Sequence, residues 1–284
     1  MSTNSRKHKG FSREDNAEKP KASSKFIPKS IAPYWRSVDA AYERQLGRLP
    51  AWLTPWVRDL VDVALNVLVI IVILRLLLGA DMLVPLVVVT SESMVHESGD
   101  LGWITWLNNK GVGNSTLSAF PLQDGFNMGD MIVVKDPKAT LGDVIIYERD
   151  LDHLTFSSRD PIIHRVVGIV HVKDYVPVSV EGTLDCMSMT QFTPYVDKVI
   201  ACQRNSGYCP YTRYPKGGDF SLFITKGDHN DASDQCNPKM QISYPVNDAQ
   251  VTGRAFIRLP YLGWPKLLLS LIFRILALPF QMLS

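Results

Sequence analysis

Large apolar residues are scarce before Phe26, and Lys, Ser, Asn and Pro fill much of the first thirty positions. Such a stretch buries too little surface to offset the entropy of ordering it, and it reads as a disordered basic tail. Residues 31–57 set Tyr34, Trp35, Trp52 and Trp56 among basic side chains, which predicts a short amphipathic helix at a membrane surface. Over 61–80 the pattern becomes a nearly unbroken run of Leu, Ile and Val. About 20 helical residues at ~1.5 Å each match the roughly 30 Å hydrocarbon core. We therefore expect a transmembrane anchor over 58–80, with Arg75 near enough to its outer end to snorkel to the interface.

Beyond the anchor the apolar runs shorten: MIVVK (131–135), DVIIYE (143–148), IIHRVVGIV (162–170), VPVSVEG (176–182), FSLFITKGD (220–228) and AFIRLP (255–260). Turn residues such as Gly129-Asp130, Gly142-Asp143, Gly217-Gly218 and Asn230-Asp231 separate them. This is the signature of a mainly β domain, expected over 81–260. The intervals 97–128 and 171–219 are polar and Gly-rich and read as insertions or long loops on the β core. Residues 261–284 turn apolar again but carry Lys266, Arg274 and Pro279. They predict a second membrane span, or a helix lying in the interface with its cations on the wet side; the span is preferred.

Charge adds direction. A net charge of +2 is too small to argue for a nucleic-acid partner. The basic residues crowd ahead of the anchor, among them Lys7, Lys9, Lys19, Lys21, Arg36 and Arg44. The positive-inside rule then keeps residues 1–57 in the cytoplasm and puts the β domain outside. The apolar run starts too far from the N-terminus for a cleaved signal peptide. All four cysteines, Cys186, Cys202, Cys209 and Cys236, fall in the segment expected outside. An even number in an oxidising compartment predicts two disulfides, with three pairings open. The spacings lack the CxxC pair that would favour zinc, so neither a metal nor a cofactor is expected.

The strand-like PLVVV ends in Ser91-Glu92-Ser93-Met94. Residues i and i+2 of an extended chain point to one side, so Ser91 and Ser93 would set two hydroxyls over one spot. Two strand-capping turn residues would give the same letters. A serine becomes a nucleophile only when a base takes its proton. Of the six histidines, His8 lies in the tail, and His153 and His171 fall in or beside loops and read as surface residues. His96 is three residues past Ser93 along a turn, a poor place from which to aim a ring back at it, and His229 is positioned to tune Asp228 and Asp231. His164 differs: it interrupts the apolar IIHRVV, where a polar ring needs a partner. Asp130 and Asp143 follow glycines and read as turn residues, and Asp231 as a solvated one.

Taken in order, SESM after an apolar strand, GDVIIY, IIHRVVG and FITKGDHNDASD resemble type I signal peptidases, over about residues 61–260. The closer likeness is to the archaeal and endoplasmic-reticulum branch, since the bacterial branch carries Lys where this chain has His164. The resemblance implies a signal-peptidase-like β fold and a serine endopeptidase that removes N-terminal signal peptides after small residues. It implies Ser93 as nucleophile, His164 as general base and Asp234 as the acid that orients the histidine. Asp228 of the K-G-D motif would support them, and the Ser91 hydroxyl would help hold the oxyanion. Glu92 stands where many members have Gly, which stiffens the elbow between the serines. Met94 and Val95 are candidates for the pocket that takes small side chains. The chemistry is coherent: imidazole, with a pKa of about 6.5, accepts a proton at neutral pH, whereas Lys, at about 10.4, must first be lowered by burial. A His base in turn benefits from a carboxylate that fixes its tautomer.

The expected partners are signal peptides of secretory preproteins, membrane lipid and the protein-export channel, at an archaeal plasma membrane. Three other readings stand beside this one: a processing peptidase with a dedicated secreted substrate, an inactive anchored binding or assembly protein on the same scaffold, and a self-cleaving repressor of related fold. The anchor and His164 count against the last, which pairs Ser with Lys and carries a DNA-binding domain.

Overall fold

The computed structural model describes residues 41–42, 44–47, 50–96, 102–154, 160–237 and 241–281. The basic tail and about half of the expected surface helix lie outside them. Two compact units meet in sequence at Asn66 and Val67. Helix α1, Thr54–Leu78, is 25 residues long, has no buried residue, and is long and apolar enough to cross a membrane. It starts four residues before the expected anchor, with Pro55 in its first turn, where a missing N–H costs nothing. Its end is set by Gly79, which adopts φ +63° and donates its N–H to Arg75 O at 3.0 Å. Only glycine takes that left-handed position without a Cβ penalty.

The second unit is mainly β. Its strands are β1 (Leu86–Val88), β2 (Met131–Lys135), β3 (Val144–Tyr147), β4 (Ile162–Lys173), β5 (Val176–Gly182), β6 (Phe220–Lys226), β7 (Val246–Asn247) and β8 (Val251–Leu259). They form one curled antiparallel sheet, a half-barrel, in the order β1-β2-β8-β3-β4-β6-β7, with β5 also paired to β4. Among the described residues strand β1 pairs with β2 alone and is an edge. Strand β4 is the longest at 12 residues and receives β3, β5 and β6. Its apolar letters on both faces fit a strand covered on both sides. Register breaks between His171/Val172 and between Val166/Gly168 bend it.

The two intervals expected to be irregular contain helices. The first holds α2 (Gly102–Asn109) and α3 (Asn114–Leu117); the second holds the end of β4, β5 and α4 (Thr193–Arg204). Their apolar spacing is helical: Trp103 and Leu107 are four apart, and Val196, Val199 and Cys202 recur at three. These faces pack with Phe192 against Val170, Leu222 and Ile224, forming one core cluster over the sheet. A second cluster, around Ile132, Val134, Val144 and Phe126, includes Met94. The polar outer face of each short helix masked the pattern in the sequence. After β8 the chain enters α5, Trp264–Gln281, the helix expected in the C-terminal segment.

Both disulfides form: Cys186 with Cys236 and Cys202 with Cys209. The short link closes the end of α4. The long one spans 50 residues and ties the segment after β5 to the loop that carries Asp234. A loop of that length confers roughly 4 kcal/mol on chain-entropy grounds. Replacing both Cys186 and Cys236 by Ser should lower unfolding stability by about that amount in a denaturant titration. A loss below about 1 kcal/mol would show that the loop is held by its other contacts instead.

Candidate active site

Sheet alternation sends His164 and Arg165, neighbours on β4, to opposite faces. On one face His164 Nε2 lies 2.9 Å from Ser93 Oγ. Its Nδ1 lies 2.7 and 2.9 Å from the two oxygens of Asp234. The Asp234 carboxylate also accepts from Thr225 Oγ at 2.6 Å and Tyr147 OH at 2.9 Å, and it is fully buried. An ionised carboxylate only accepts hydrogen bonds. A neutral imidazole beside such a carboxylate places its proton on Nδ1 and turns the Nε2 lone pair to the serine hydroxyl. The structure thus brings Ser93, His164 and Asp234 into one line of hydrogen bonds. Ser91 Oγ lies 3.2 Å from Ser93 Oγ on the exposed side.

On the other face Arg165 is completely buried and uses all five of its donors. Nε and Nη2 bind Asp228 at 2.9 and 2.7 Å, and the remaining hydrogens go to the carbonyls of Pro121, Leu122 and Gly142. Its guanidinium stacks 4.5 Å from the Trp103 ring centroid. His96 Nε2 lies 3.0 Å from the same Asp228. Burial alone would raise the Asp228 pKa, but the Arg165 charge and the bonds from His96 and Arg165 outweigh it and hold the carboxyl below its ordinary value.

The loop from β6 ties both faces together. His229 N–H donates to Ser93 O at 2.9 Å, Asp228 N–H approaches Met94 Sδ at 3.4 Å, and Phe126 N–H donates to Met94 O at 2.8 Å. A Cβ on Gly227 would stand 2.7 Å from Ser93 O and 2.9 Å from His164 Nε2, so the loop reaches the serine turn only because that residue has no side chain. Asp185 accepts from Ser233 N–H and Oγ and pairs with Lys110 at 2.8 Å, anchoring the same loop next to Asp234.

Several sequence readings need correction. His96, read only as a poor base for Ser93, turns out to be a partner of Asp228. His153 is half-buried, pairs with Asp150 and meets Tyr244 edge-on at 4.8 Å. Asp130 and Asp143 are buried and paired with Arg258 and Arg254, beyond a turn role. Asp231 is exposed, as a solvated turn residue would be. Met94 lines the cleft from a core position, whereas Val95 is not among the cleft-lining residues. Sequence reasoning missed Arg165, Tyr147, Thr225 and Lys226. A buried arginine beside His164 in an apolar strand was the available signal for the first.

Ser93 and His164 sit in an open cleft of about 1370 Å³, bounded by β1, by Ile162 and Ile163 ahead of His164, and by the start of α5. No group of three or more metal-binding side chains exists among the described residues. No known protein-family model matches this chain, and no curated protein matches it either.

Two consequences can be measured. Gly227→Ala should leave the fold intact and slow the reaction of Ser93 with a phosphonylating serine reagent by roughly 10²-fold, the low end of what a base contributes. Gly217→Ala, which points into open space, should not; equal rates in the two variants would mean that the loop yields without cost. The second concerns acid. A carboxyl with a depressed folded pKa contributes stability that is complete above its unfolded value of about 3.9 and is lost as pH falls through the folded value. Wild-type stability should therefore decline below about pH 4, with a shallower decline in Asp228→Asn; parallel pH curves would remove Asp228 from the acid limb.

Proposed function

We propose that this chain is a membrane-anchored serine endopeptidase of the signal-peptidase type. It removes N-terminal signal peptides from exported preproteins after small residues. The observation that carries the reading is the hydrogen-bonded order Ser93–His164–Asp234 at an open cleft. His164 Nε2 takes the Ser93 proton as Oγ attacks the scissile carbonyl. Asp234 stabilises the imidazolium that forms, as a buried carboxylate on Nδ1 does. The imidazolium returns the proton to the leaving amine, and water repeats the sequence on the acyl-enzyme. Ser91 Oγ, beside the nucleophile, is the side-chain candidate for the oxyanion; one such donor contributes on the order of 3 kcal/mol.

Two features support a polypeptide substrate. The cleft exceeds the roughly 300–1,000 Å³ of small-molecule sites. Strand β1 is an edge and lines the cleft next to Ser93, so an extended chain can pair with it. The apolar helix α1 and the basic residues ahead of it support a catalytic domain held outside a membrane with the N-terminus in the cytoplasm. Such tethering raises the effective concentration of enzyme over a membrane-borne cleavage site.

The test is cleavage of a preprotein with Ala at −1 and −3 by the full chain in detergent. Wild type should cut after the −1 residue, and Ser93→Ala should yield no product. Asp234→Asn should cost on the order of 10³–10⁴-fold in kcat and Asp231→Asn less than about threefold. Comparable losses in the two Asn variants would mean that the wrong carboxylate has been assigned. Product from Ser93→Ala would end the serine mechanism.

A further inference from the structure

Helix α5 does not leave the β domain at a free angle. Gly263 N–H donates to Gly129 O at 2.9 Å, and Tyr261 N–H donates to Asp130 Oδ1 at 3.2 Å. Asp130 is itself fully buried and paired with Arg258 at 2.7 Å. Two glycines allow this approach. A Cβ at Gly129, where φ is +86°, would meet the Trp264 indole at 2.4 Å, and one at Gly263 would meet Val88 Cγ1 at 2.6 Å. The first turn of α5 is thus seated on the β1–β2 end of the sheet, beside the edge strand that borders Ser93.

The seat aims one face of α5 into the cleft. Leu267, Leu268 and Leu271, at i, i+1 and i+4, line the same cavity as Ser93 and His164. Leu268 is 53% exposed and Leu271 54%, with Met82 and Leu86 on the adjoining wall. The charged lining residues Arg149, Asp152 and Asp160 come from the segments around the start of β4; among the described residues α5 adds only Lys266. An apolar wall built onto a proteolytic cleft calls for an apolar stretch of the substrate itself. Membrane anchoring alone would not require the helix to face the nucleophile.

We infer that α5 is a substrate-docking helix: its Leu267–Leu271 face binds the apolar run of the substrate on the N-terminal side of the scissile bond. The inference rests on the peptidase reading, and that run is the 7–15-residue apolar segment of a signal sequence. The wall is continuous with the serine site, so binding there sets which peptide bond reaches Ser93.

The experiment compares two substrates in detergent with the full chain: a preprotein, and a short peptide with the same residues around the scissile bond but no apolar run. In Leu268→Asn/Leu271→Asn, the ratio of kcat/KM for preprotein to that for peptide should fall about tenfold, equivalent to about 1.4 kcal/mol. A photoreactive benzoylphenylalanine at position 268 in the Ser93→Ala chain should cross-link to the apolar run of the preprotein. An unchanged ratio, or cross-links only to detergent, lipid or a second copy of the chain, overturns the docking role. Wild type that cuts neither substrate counts against the peptidase reading instead, and the cross-link then still decides whether the face binds an apolar segment.

Discussion

Two successive side chains on one strand cannot share a face, and β4 puts that constraint to use. His164 goes one way and Arg165 the other, yet both find a carboxylate on the loop that follows β6. Asp228 and Asp234 are six residues apart, so the loop is pinned on both sides of the strand. The Arg165–Asp228 pair is buried, with every guanidinium hydrogen satisfied. Removing one partner of such a pair leaves an uncompensated charge, at a cost of about 3–5 kcal/mol. The pair is thus better viewed as a geometric lock than as a source of net stability. What it locks is the loop that brings Asp234 to His164 and holds the carbonyl of Ser93.

The serine turn is built around the same lock. Ser93 and Met94 offer polar atoms to three backbone N–H groups, two of them from residues 228 and 229. His96, three residues on, reaches Asp228 directly. The turn therefore has its position dictated by the acid that faces away from Ser93. Cys236 and Ser233 add a second tether to the segment around 185, which the first insertion reaches through Lys110. The insertions, which carry the helices α2 and α4, act as a buttress for the loop that carries Asp234.

Much of this was legible in the chain because it depends on local pattern. The long apolar helix α1 announces itself by length and composition, and six strands by short Val- and Ile-rich runs between turns. His164 stands out because imidazole is rare in such a run. The helices of the insertions were not legible: two buried positions in α2 and three in α4 are too few to carry a period against their neighbours. The partnerships were hidden for a different reason. Asp130, Asp143 and Asp228 look alike, each following a glycine, and only the long-range placement of Arg258, Arg254 and Arg165 distinguishes a buried ion pair from a turn. Tyr147 and Thr225 were invisible as members of the site because Tyr and Thr are ordinary strand residues. Their hydroxyls matter only through the buried Asp234 that they reach.

Lys226 gives the sharpest contrast. It is buried, and burial pulls its ammonium below the ordinary lysine value against the opposing charges of Asp228 and Asp234. By pKa reasoning alone it resembles a lysine base one strand away from a candidate nucleophile. Register decides otherwise. Lys226 pairs across the sheet with Arg165, and cross-strand partners share a face. Its Nζ donates to the carbonyls of Gly227 and Asp228 and sits 5.0 Å from the Trp106 ring centroid, on the side turned away from Ser93. Its neighbour Thr225 faces the site and serves Asp234. A single-residue slip in that pairing would exchange the two, with Lys226 beside the carboxylate and no hydroxyl to hold it. That an imidazole rather than an ammonium faces Ser93 is thus written into the alternation of two adjacent strands, with the perturbed lysine left to brace the loop.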